Sequence, residues 1–437
     1  MMKEFGKTIG NRILLLLTGT VLGFVLLLAV YYLPTDSMEE RMDAHVYQSL
    51  PMIEREFTQE NLVEEYPASF VGGFTDCLML HHAVYDSPEH SPLEQLLYMY
   101  RSESGTGDGW AAGYSLIDYL EHVPQAREEQ YARYWHGYLV VLRPLLMLTN
   151  FNTIRILAAA VQLLLVGLIV AACDKAGRHK LGMAFLLAVP FLYYFSLYAS
   201  LSLSICFYIL AGALLFQVSN QEKLKKSGRM GAYFMVVGMM TAYFDLLTYP
   251  LVTLGFPLCV YLYLQKESIK KQLFGIVRNS VEWMAGYGGL WVIKWVLTDC
   301  LMGSNIIADG FATISQRTES AEGVSALQGF IEVTKQNISA YTNWGYGLLT
   351  AGVLVWLLYI LIKRRKTVTG KRLGDAMMFL LVAAYPFVWF FCTQNHSEEH
   401  WIFTCKILSV TAFAGICGVL KLCGADDMQE EKYAGNK

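Results

Sequence analysis

The chain alternates between long apolar runs and short polar connections over most of its length. A helix needs roughly twenty apolar residues to cross the hydrocarbon core of a bilayer. The first run of this kind is 13–33. Further spans are predicted at 153–173, 181–198, 200–218, 230–249, 250–265, 279–299, 345–362, 373–393 and 401–420. The pattern predicts an all-α polytopic membrane protein with about ten transmembrane helices, in which residues 1–437 form a single membrane domain.

Two longer polar segments interrupt this alternation. The first connects the first two spans and covers 34–133, the one place in the chain with room for a folded soluble unit. Its periodicity is mixed, and amphipathic helices are predicted at 37–66, 91–100 and 110–122. The second polar segment is 300–344.

The apolar stretch at 131–151 differs from the other runs because His136, Arg143 and Pro144 interrupt it. A charged side chain at the centre of a bilayer is costly. This stretch is therefore predicted to be an interfacial or re-entrant helix instead of a span.

Charged residues are sorted between the connections. The segment 34–133 holds 19 Asp or Glu, 5 Arg and no Lys, whereas the connections at 219–229, 266–278 and 363–372 are basic. Cytoplasmic loops carry an excess of Lys and Arg, so both polar segments are predicted outside and both termini inside. A signal peptide is the alternative for 13–33, but the run is long and lacks a small-x-small cleavage site, which favours an uncleaved helix.

Composition narrows the classes of function. Of the residues, 54% are hydrophobic and 16% are charged, against roughly 25% charged in ordinary soluble domains. The sequence contains no P-loop, GxSxG or GxGxxG motif, which argues against an ATP-driven pump or a soluble hydrolase. No basic patch indicates a nucleic-acid partner. No cofactor is indicated, and no HExxH or similar spacing supports a divalent metal.

Four ionisable residues fall in apolar stretches, all toward the outer side. They are Asp245, Lys294, Lys406 and Arg143. Ionisable residues in such places are functional candidates. One interpretation is a structural ion pair between Asp245 and one of the cations, with the lysines reaching toward water. The other is a cationic pocket that would hold the phosphate of a lipid headgroup.

Among the acids of the first polar segment, Asp76 in GGFTDCLML lies within an apolar stretch directly after a glycine turn. Burial would raise its pKa and suit it to accept a proton. The alternative is a carboxylate at a helix N-terminus. Asp36 and Asp43 follow the first span and are weaker candidates for the base.

Eight of the nine histidines fall in segments predicted to be outside. His396 and His400 flank two glutamates in QNHSEEHW. Metal ligation through these histidines lacks a recognisable spacing. The preferred interpretations are solvated loop residues or hydrogen bonding to a substrate. The candidate substrate-binding residues are His136, Asp245, Arg317, His396 and His400.

The order of these features resembles the GT-C class of integral membrane glycosyltransferases, which take a sugar from a polyprenyl-phosphate carrier at the outer leaflet. The strings YWHGYLVVLRPLL, YFDLLTYPLVTLGFPL and NHSEEHWIFTCKIL are also similar to those of a group of membrane proteins from Gram-positive gut bacteria. That group is related in layout to the O-antigen-modifying glucosyltransferases. The resemblance implies a bacterial cytoplasmic membrane, a polyprenyl-phosphate-linked sugar as donor, and a cell-envelope polysaccharide or glycolipid as acceptor.

In GT-C enzymes an acid of the first outer loop acts as base on the acceptor hydroxyl, and basic residues hold the lipid phosphate. The resemblance implies that Asp76, or else Asp36, is the base, and that Arg143, Lys294 and Lys406 bind the phosphate. The chain lacks the DxD or Asp-Glu pair found early in this loop in better-known members. Two alternatives are a transporter or flippase for a lipid-linked sugar, and a non-catalytic protein of envelope assembly.

Overall fold

The computed structural model describes residues 2–33, 36–58, 63, 66–87, 89–104, 111–124, 126–320 and 323–424. The regular secondary structure of the described residues is helical apart from one two-stranded sheet. The elements of the first half are α1 (Met2–Tyr31), α2 (Asp36–Tyr47), α3 (Leu50–Thr58), α4 (Gly73–Val84), α5 (Pro92–Tyr98), β1 (Tyr100–Glu103), α6 (Ala111–Leu120), β2 (Arg127–Gln130), α7 (Leu139–Leu148), α8 (Phe151–Lys175), α9 (His179–Ala188), α10 (Tyr194–Leu197) and α11 (Leu201–Lys226).

The second half continues with longer helices and a group of short ones near its C-terminal end. The elements are α12 (Met230–Phe244), α13 (Val252–Tyr263), α14 (Ile269–Met302), α15 (Ile306–Thr318), α16 (Ala326–Ser339), α17 (Trp344–Arg364), α18 (Gly370–Ala383), α19 (Tyr385–Cys392), α20 (Gln394–Glu399), α21 (Trp401–Thr404) and α22 (Leu408–Leu422).

Helices long and apolar enough to cross a bilayer confirm a helical membrane protein in its broad outline. The described residues contain six of them: Gly6–Tyr31, Phe151–Lys175, Leu201–Lys226, Trp344–Thr367, Gly370–Cys392 and Trp401–Leu422. Most of α1, α8 and α17 is exposed on the surface of the protein, as expected of helices that contact lipid. The helix expected at 181–198 is interrupted, because the chain turns at Tyr193, whose φ is 55°.

The first polar segment is a folded layer with more elements than its periodicity predicts. Of the helix expected over 37–66, the described residues form two helices, α2 and α3, and 59–62, 64 and 65 lie outside the described residues. The helices expected at 91–100 and 110–122 are α5 and α6. Asp76 lies in the first turn of α4, as the alternative interpretation of that residue expected. The antiparallel pairing of β1 with β2, in which Tyr100 lies opposite Gln130, was not predicted.

The interfacial stretch forms the short helix α7, which has Pro144 inside it. Ten residues span about 15 Å, which is too short to cross a bilayer core of roughly 30 Å.

The helices α12 and α14 pack with unusually close backbones, since a Cβ on Gly286 would lie 2.1 Å from the Met235 carbonyl oxygen.

The helical body has two ends that differ in chemistry. At the loop end, the first polar segment meets the connections at 245–251 and 393–400. At the basic end, the connections at 264–268 and 365–369 meet the C-terminal end of α22. The two ends therefore offer two distinct polar surfaces, each built from several connections.

Candidate functional site

A polar cavity of about 280 Å³ lies at the loop end. Its walls come from the start of α4, the segment before α7, the 246–248 turn, the C-terminal end of α15, and α20 with α21. Its polar and aromatic lining residues include Thr75, Tyr131, Tyr134, Thr248, Arg317, His396, Glu399, His400 and Trp401. This polar cavity unites segments that lie more than 300 residues apart in the sequence.

Arg317 is the cation of the polar cavity. It lies in the last turn of α15 and donates a hydrogen bond of 2.9 Å to the Tyr134 hydroxyl. The Tyr134 ring in turn packs edge-on against Trp291, with ring centroids 5.3 Å apart. Aromatic contacts of this kind fix a guanidinium without neutralising it, so Arg317 can hold an anion in the cavity.

The histidines predicted from the sequence lie in the same cavity. The rings of His396 and His400 are 4.9 Å apart. Burial lowers the pKa of His396 to about 3, and the nearby His400 and Arg317 add to this effect. Burial also lowers the pKa of His400. Both rings are therefore neutral near pH 7, and each offers one donor and one acceptor.

Glu399 brings a carboxylate to this cavity, between the two histidines in the sequence. The Glu399 side chain is exposed. Its neighbour Glu398 is also exposed but does not line the cavity. Glu398 and Glu399 both lie between His396 and His400, and the sequence alone does not distinguish them. The fold distinguishes them, because Glu399 lines the cavity together with the histidines and Arg317, and Glu398 does not.

His136 supports the wall of the cavity from behind. Its Nε2 donates to the Tyr131 carbonyl oxygen at 2.8 Å, which leaves Nδ1 to accept from the Tyr138 hydroxyl at 2.9 Å. Burial lowers the pKa of His136 to about 3. His136 therefore acts as a positioning residue for Tyr131, a residue that the sequence did not single out.

Asp245 likewise acts through a neighbour. Its carboxylate accepts from the Thr248 main-chain N–H at 3.0 Å and from the Thr248 hydroxyl at 2.5 Å. The expected ion pair with Arg143, Lys294 or Lys406 does not form in the described part of the chain. The side chain instead closes the turn that carries Thr248 into the polar cavity.

Asp76 lies directly behind the cavity wall and is fully engaged there. Its carboxylate accepts from the main-chain N–H groups of Leu201 and Ser202 at 2.7 and 2.9 Å. The hydroxyls of Ser200 and Ser202 donate to it at 3.0 and 2.8 Å. Burial raises its pKa, and these hydrogen bonds partly offset that effect. Asp76 thus caps the N-terminus of α11, while its neighbour Thr75 lines the polar cavity.

The weaker acid candidates lie elsewhere. The backbone of Asp36 begins α2, and its side chain lies outside the described residues. Asp43 is on the same helix, and burial together with the nearby Glu39 raises its pKa to about 6. Asp43 does not line the polar cavity.

Arg143, Lys294 and Lys406 do not form the single cationic pocket that the sequence suggested. Lys294 donates to the carbonyl oxygens of Leu96 and Leu97 at 3.0 and 2.8 Å, at the C-terminal end of α5. A helix C-terminus carries partial negative charge, so the backbone at the end of α5 stabilises the Lys294 ammonium group. None of the three cations lines the polar cavity.

The other two cations lie against aromatic rings. Lys406 donates to the Ile402 carbonyl oxygen at 2.6 Å and lies 5.1 Å from the centre of the Tyr193 ring. The Arg143 guanidinium lies 4.7 Å from the centre of the Tyr31 ring. For Lys406 a cation–π contact and a main-chain oxygen replace the anion. Arg143 has the cation–π contact, but its Nε and one terminal nitrogen are buried without a hydrogen-bond partner.

A second cavity of about 580 Å³ is almost entirely apolar and lies between α7, α8, α11 and α12. Its wall includes Ser200, which also donates to Asp76. This apolar cavity and the polar cavity are therefore separated by the cap of α11.

No protein-family model, no curated protein and no solved structure matches this chain. The ranges that the structure describes hold no group of three or more His, Cys, Asp or Glu side chains arranged to bind a metal ion.

Proposed function

We propose that the protein is a membrane glycosyltransferase that moves a sugar from a polyprenyl-phosphate donor to a cell-envelope polysaccharide or glycolipid. The observation that carries the proposal is the polar cavity, where a guanidinium and a carboxylate share a space with aromatic walls. Aromatic walls with a few placed polar groups are typical of small-molecule sites. A guanidinium suits a phosphate, and a carboxylate suits the role of proton acceptor.

In this proposal the base is Glu399. It takes the proton of the acceptor hydroxyl as that oxygen bonds to the anomeric carbon. The bond between the anomeric carbon and the phosphate oxygen breaks, and its electron pair leaves with the phosphate. Arg317 stabilises the charge that develops on this leaving group, which is the largest contribution expected in such a transfer. A single displacement inverts the anomeric carbon.

Asp76 is less suited to this chemistry than the resemblance implied. Its carboxylate already accepts four hydrogen bonds from the start of α11. A base must lie within hydrogen-bond reach of the proton that it removes. Asp76 is therefore proposed to hold the cavity wall, and Glu399 to perform the proton transfer.

The apolar cavity is the proposed place for the first isoprene units of the donor. Its wall is almost entirely apolar and borders the cap beside the polar cavity. The loop end would face outside a bacterial cytoplasmic membrane, with about ten spans and both termini inside. The Lys- and Arg-rich connections at the opposite end support this orientation.

The experiment uses the purified full-length protein with a radiolabelled polyprenyl-phosphate sugar and a panel of envelope glycans and glycolipids. Glu399→Gln is expected to lower the transfer rate about a hundredfold or more, because it removes the proton acceptor. The matched control is Glu398→Gln, since Glu398 is an exposed neighbour that does not line the cavity. This control should retain the wild-type rate.

Three results would overturn the proposal or its assignment of the base. Absence of transfer with every donor and acceptor tested would reject the enzyme, and movement of the labelled lipid across a liposome bilayer without transfer would identify a flippase instead. Full activity of Glu399→Gln alongside measurable wild-type transfer would reject Glu399 as the base.

A further inference from the structure

The helix α16, in the second polar segment, packs against α20 through one of its faces. Gly329, Val333 and Asn337 follow one another at intervals of four residues on this face, and all three are buried. The Asn337 amide donates to the Ser397 carbonyl oxygen at 3.2 Å. One packed face of this kind is enough to hold a helix against a protein, so no further apolar surface is needed for that purpose.

A second apolar face of α16 is exposed. Leu327, Ile331 and Ile338 occupy positions i, i+4 and i+11, which fall on one side of an α-helix. Their side chains are 65%, 42% and 40% exposed, and we call these three residues the apolar stripe. The exposed positions beside the apolar stripe are polar and share the same spacing: Gln328, Glu332, Lys335 and Ser339. The surface of α16 that is not packed on protein is therefore itself amphipathic.

The helix α16 meets the loop ends of three apolar helices long enough to cross a bilayer. These are α17, α18 with α19, and α21 with α22. Near the start of α16, the Phe330 ring packs edge-on against Phe391 at the end of α19, with ring centroids 5.9 Å apart. Near its end, the Asn337 side-chain oxygen accepts from the Thr404 hydroxyl of α21 at 2.9 Å. Because both halves of α16 contact the same ends of spans, the helix lies across these ends.

Trp344 indicates the level of the bilayer surface at the loop end. It begins α17, whose 21 residues extend about 31 Å, close to the roughly 30 Å of a bilayer core. The Trp344 side chain is 81% exposed, and tryptophan is enriched at membrane–water interfaces. Residues 340–343 alone separate α16 from Trp344. Four residues reach at most about 14 Å, so the end of α16 lies near this interface.

We propose that α16 lies in the bilayer interface at the loop end, with the apolar stripe against the upper acyl chains and the polar positions toward water. Helices of this type bury their apolar face about 5–10 Å into the boundary between headgroups and acyl chains. Leu348 of α17 and Val388 of α19 are exposed as well, so the apolar stripe continues the lipid-facing surface of the neighbouring spans. Lys335 lies one turn after Ile331, where its long side chain reaches the headgroups.

This arrangement places the polar cavity near the level of the lipid headgroups. The helix α20 carries His396 and Glu399 of the cavity and is held on the buried face of α16 through Ser397. A ligand anchored in the bilayer would then meet the cavity at the depth of its own headgroup. The interfacial position of α16 does not depend on the glycosyltransferase proposal, and its test involves no sugar transfer.

The test measures the depth of single spin labels on the full-length protein in phosphatidylcholine liposomes. Cys300 and Cys392, the exposed cysteines of the described ranges, are first replaced by serine. A label is then attached to the apolar stripe in Ile331→Cys or in Ile338→Cys. Power saturation of the electron paramagnetic resonance signal gives collision rates with oxygen, which concentrates among acyl chains, and with a water-soluble nickel chelate. We expect the ratio of oxygen to nickel collisions to be severalfold higher than in the controls.

The matched controls are Glu332→Cys and Ser339→Cys, each one residue further along the same helix and exposed. Their labels should collide mainly with the nickel chelate. Leu348→Cys, at an exposed position of α17, is the reference for contact with acyl chains. All five labelled positions are exposed, so the labels leave the packed core unchanged.

Ratios on the apolar stripe that approach the ratio of Leu348→Cys, with both controls accessible to nickel, would support the proposal. Equal nickel accessibility in Ile331→Cys and Glu332→Cys would overturn it, because the apolar stripe would then face water. Low collision rates with both reagents in Ile331→Cys would also overturn it, since a second copy of the chain or another protein would then cover the apolar stripe.

Discussion

The buried side chains of Asp76, Lys294 and Lys406 make hydrogen bonds to main-chain groups at or near helix ends. Asp76 meets the first N–H groups of α11, and Lys294 meets the last carbonyl oxygens of α5. Lys406 meets a carbonyl oxygen of α21. The main-chain N–H and C=O groups at a helix terminus have no partner within the helix, so a side chain or water must supply one. A charge in an apolar stretch of this protein therefore indicates where helices join as well as where a ligand could bind.

At the same scale, His396 should make stability depend on pH. Its folded pKa is about 3, below the unfolded value of about 6.5. Above pH 6.5 the ring is neutral in both the folded and the unfolded state. As pH falls below 6.5, the unfolded state binds a proton that the folded state does not, so the free energy of unfolding decreases. By pH 5 the loss should reach about 2 kcal/mol. We expect the melting temperature of His396→Gln to fall less than that of the wild type between pH 7 and 5.

The control for this measurement is Glu398→Gln, because Glu398 is exposed and does not line the polar cavity. Its melting temperature should follow the wild-type curve. Parallel curves for His396→Gln and the wild type would show that His396 is not held neutral by burial.

At the scale of elements, α12 and α14 pack closely against each other at two glycine residues. A Cβ added to Gly238 would lie 2.2 Å from the Trp283 carbonyl oxygen, and one on Gly286 would lie 2.1 Å from the Met235 carbonyl oxygen. The obstacle in both cases is backbone, which cannot move aside as a flexible side chain can. Small residues permit this close approach between helices in membranes.

Gly286→Ala should therefore push the two helices apart. We expect a destabilisation of about 1–3 kcal/mol from overpacking, measured as a lower melting temperature in detergent. Gly288→Ala is the matched control on the same helix, since nothing lies within 4 Å of a Cβ there. That control should be neutral or should stabilise the helix by up to about 1 kcal/mol. Equal effects of the two substitutions would contradict the close-packing argument.

The elements were more predictable than the site. Apolar length predicted the long helices, and the interruption at Arg143 and Pro144 predicted that α7 would be short. Turns such as the one at Tyr193 and the strand pair β1–β2 were missed, because a left-handed residue or a short strand has no strong periodicity. Within the site, Arg317, His396 and His400 were expected. Tyr134 was not, since its role depends on a contact with a helix 183 residues away.

At the scale of the whole molecule, the first polar segment is part of the body and does not form a separate unit. Leu78 and Leu96 share one hydrophobic core with Leu203 and Leu254. Polar contacts connect the same layers, since Asp76 caps α11 and Lys294 holds the end of α5. The polar cavity lies between this layer and the helices, so its shape depends on both.

Replacement of Asp76 should loosen this connection. In Asp76→Ala, the N–H groups of Leu201 and Ser202 lose their acceptor, at a cost of roughly 2–3 kcal/mol. We expect faster amide hydrogen exchange in α4 and in the first turn of α11 together. Glu121→Ala, an exposed acid of the same segment, should leave both rates unchanged. Faster exchange in only one of the two helices would show that the cap does not couple them.

The partners of the first segment also impose an order on biogenesis. The Asp76 carboxylate accepts a hydrogen bond from Ser202, which is synthesised 126 residues later. The Leu96 carbonyl oxygen, near the end of α5, accepts from Lys294, which is synthesised 198 residues later. A ribosome adds about 5–20 residues per second, so the segment emerges many seconds before its partners exist. During that interval its apolar faces have no native surface to cover. A chaperone that covers these faces would have its main task at this stage of synthesis.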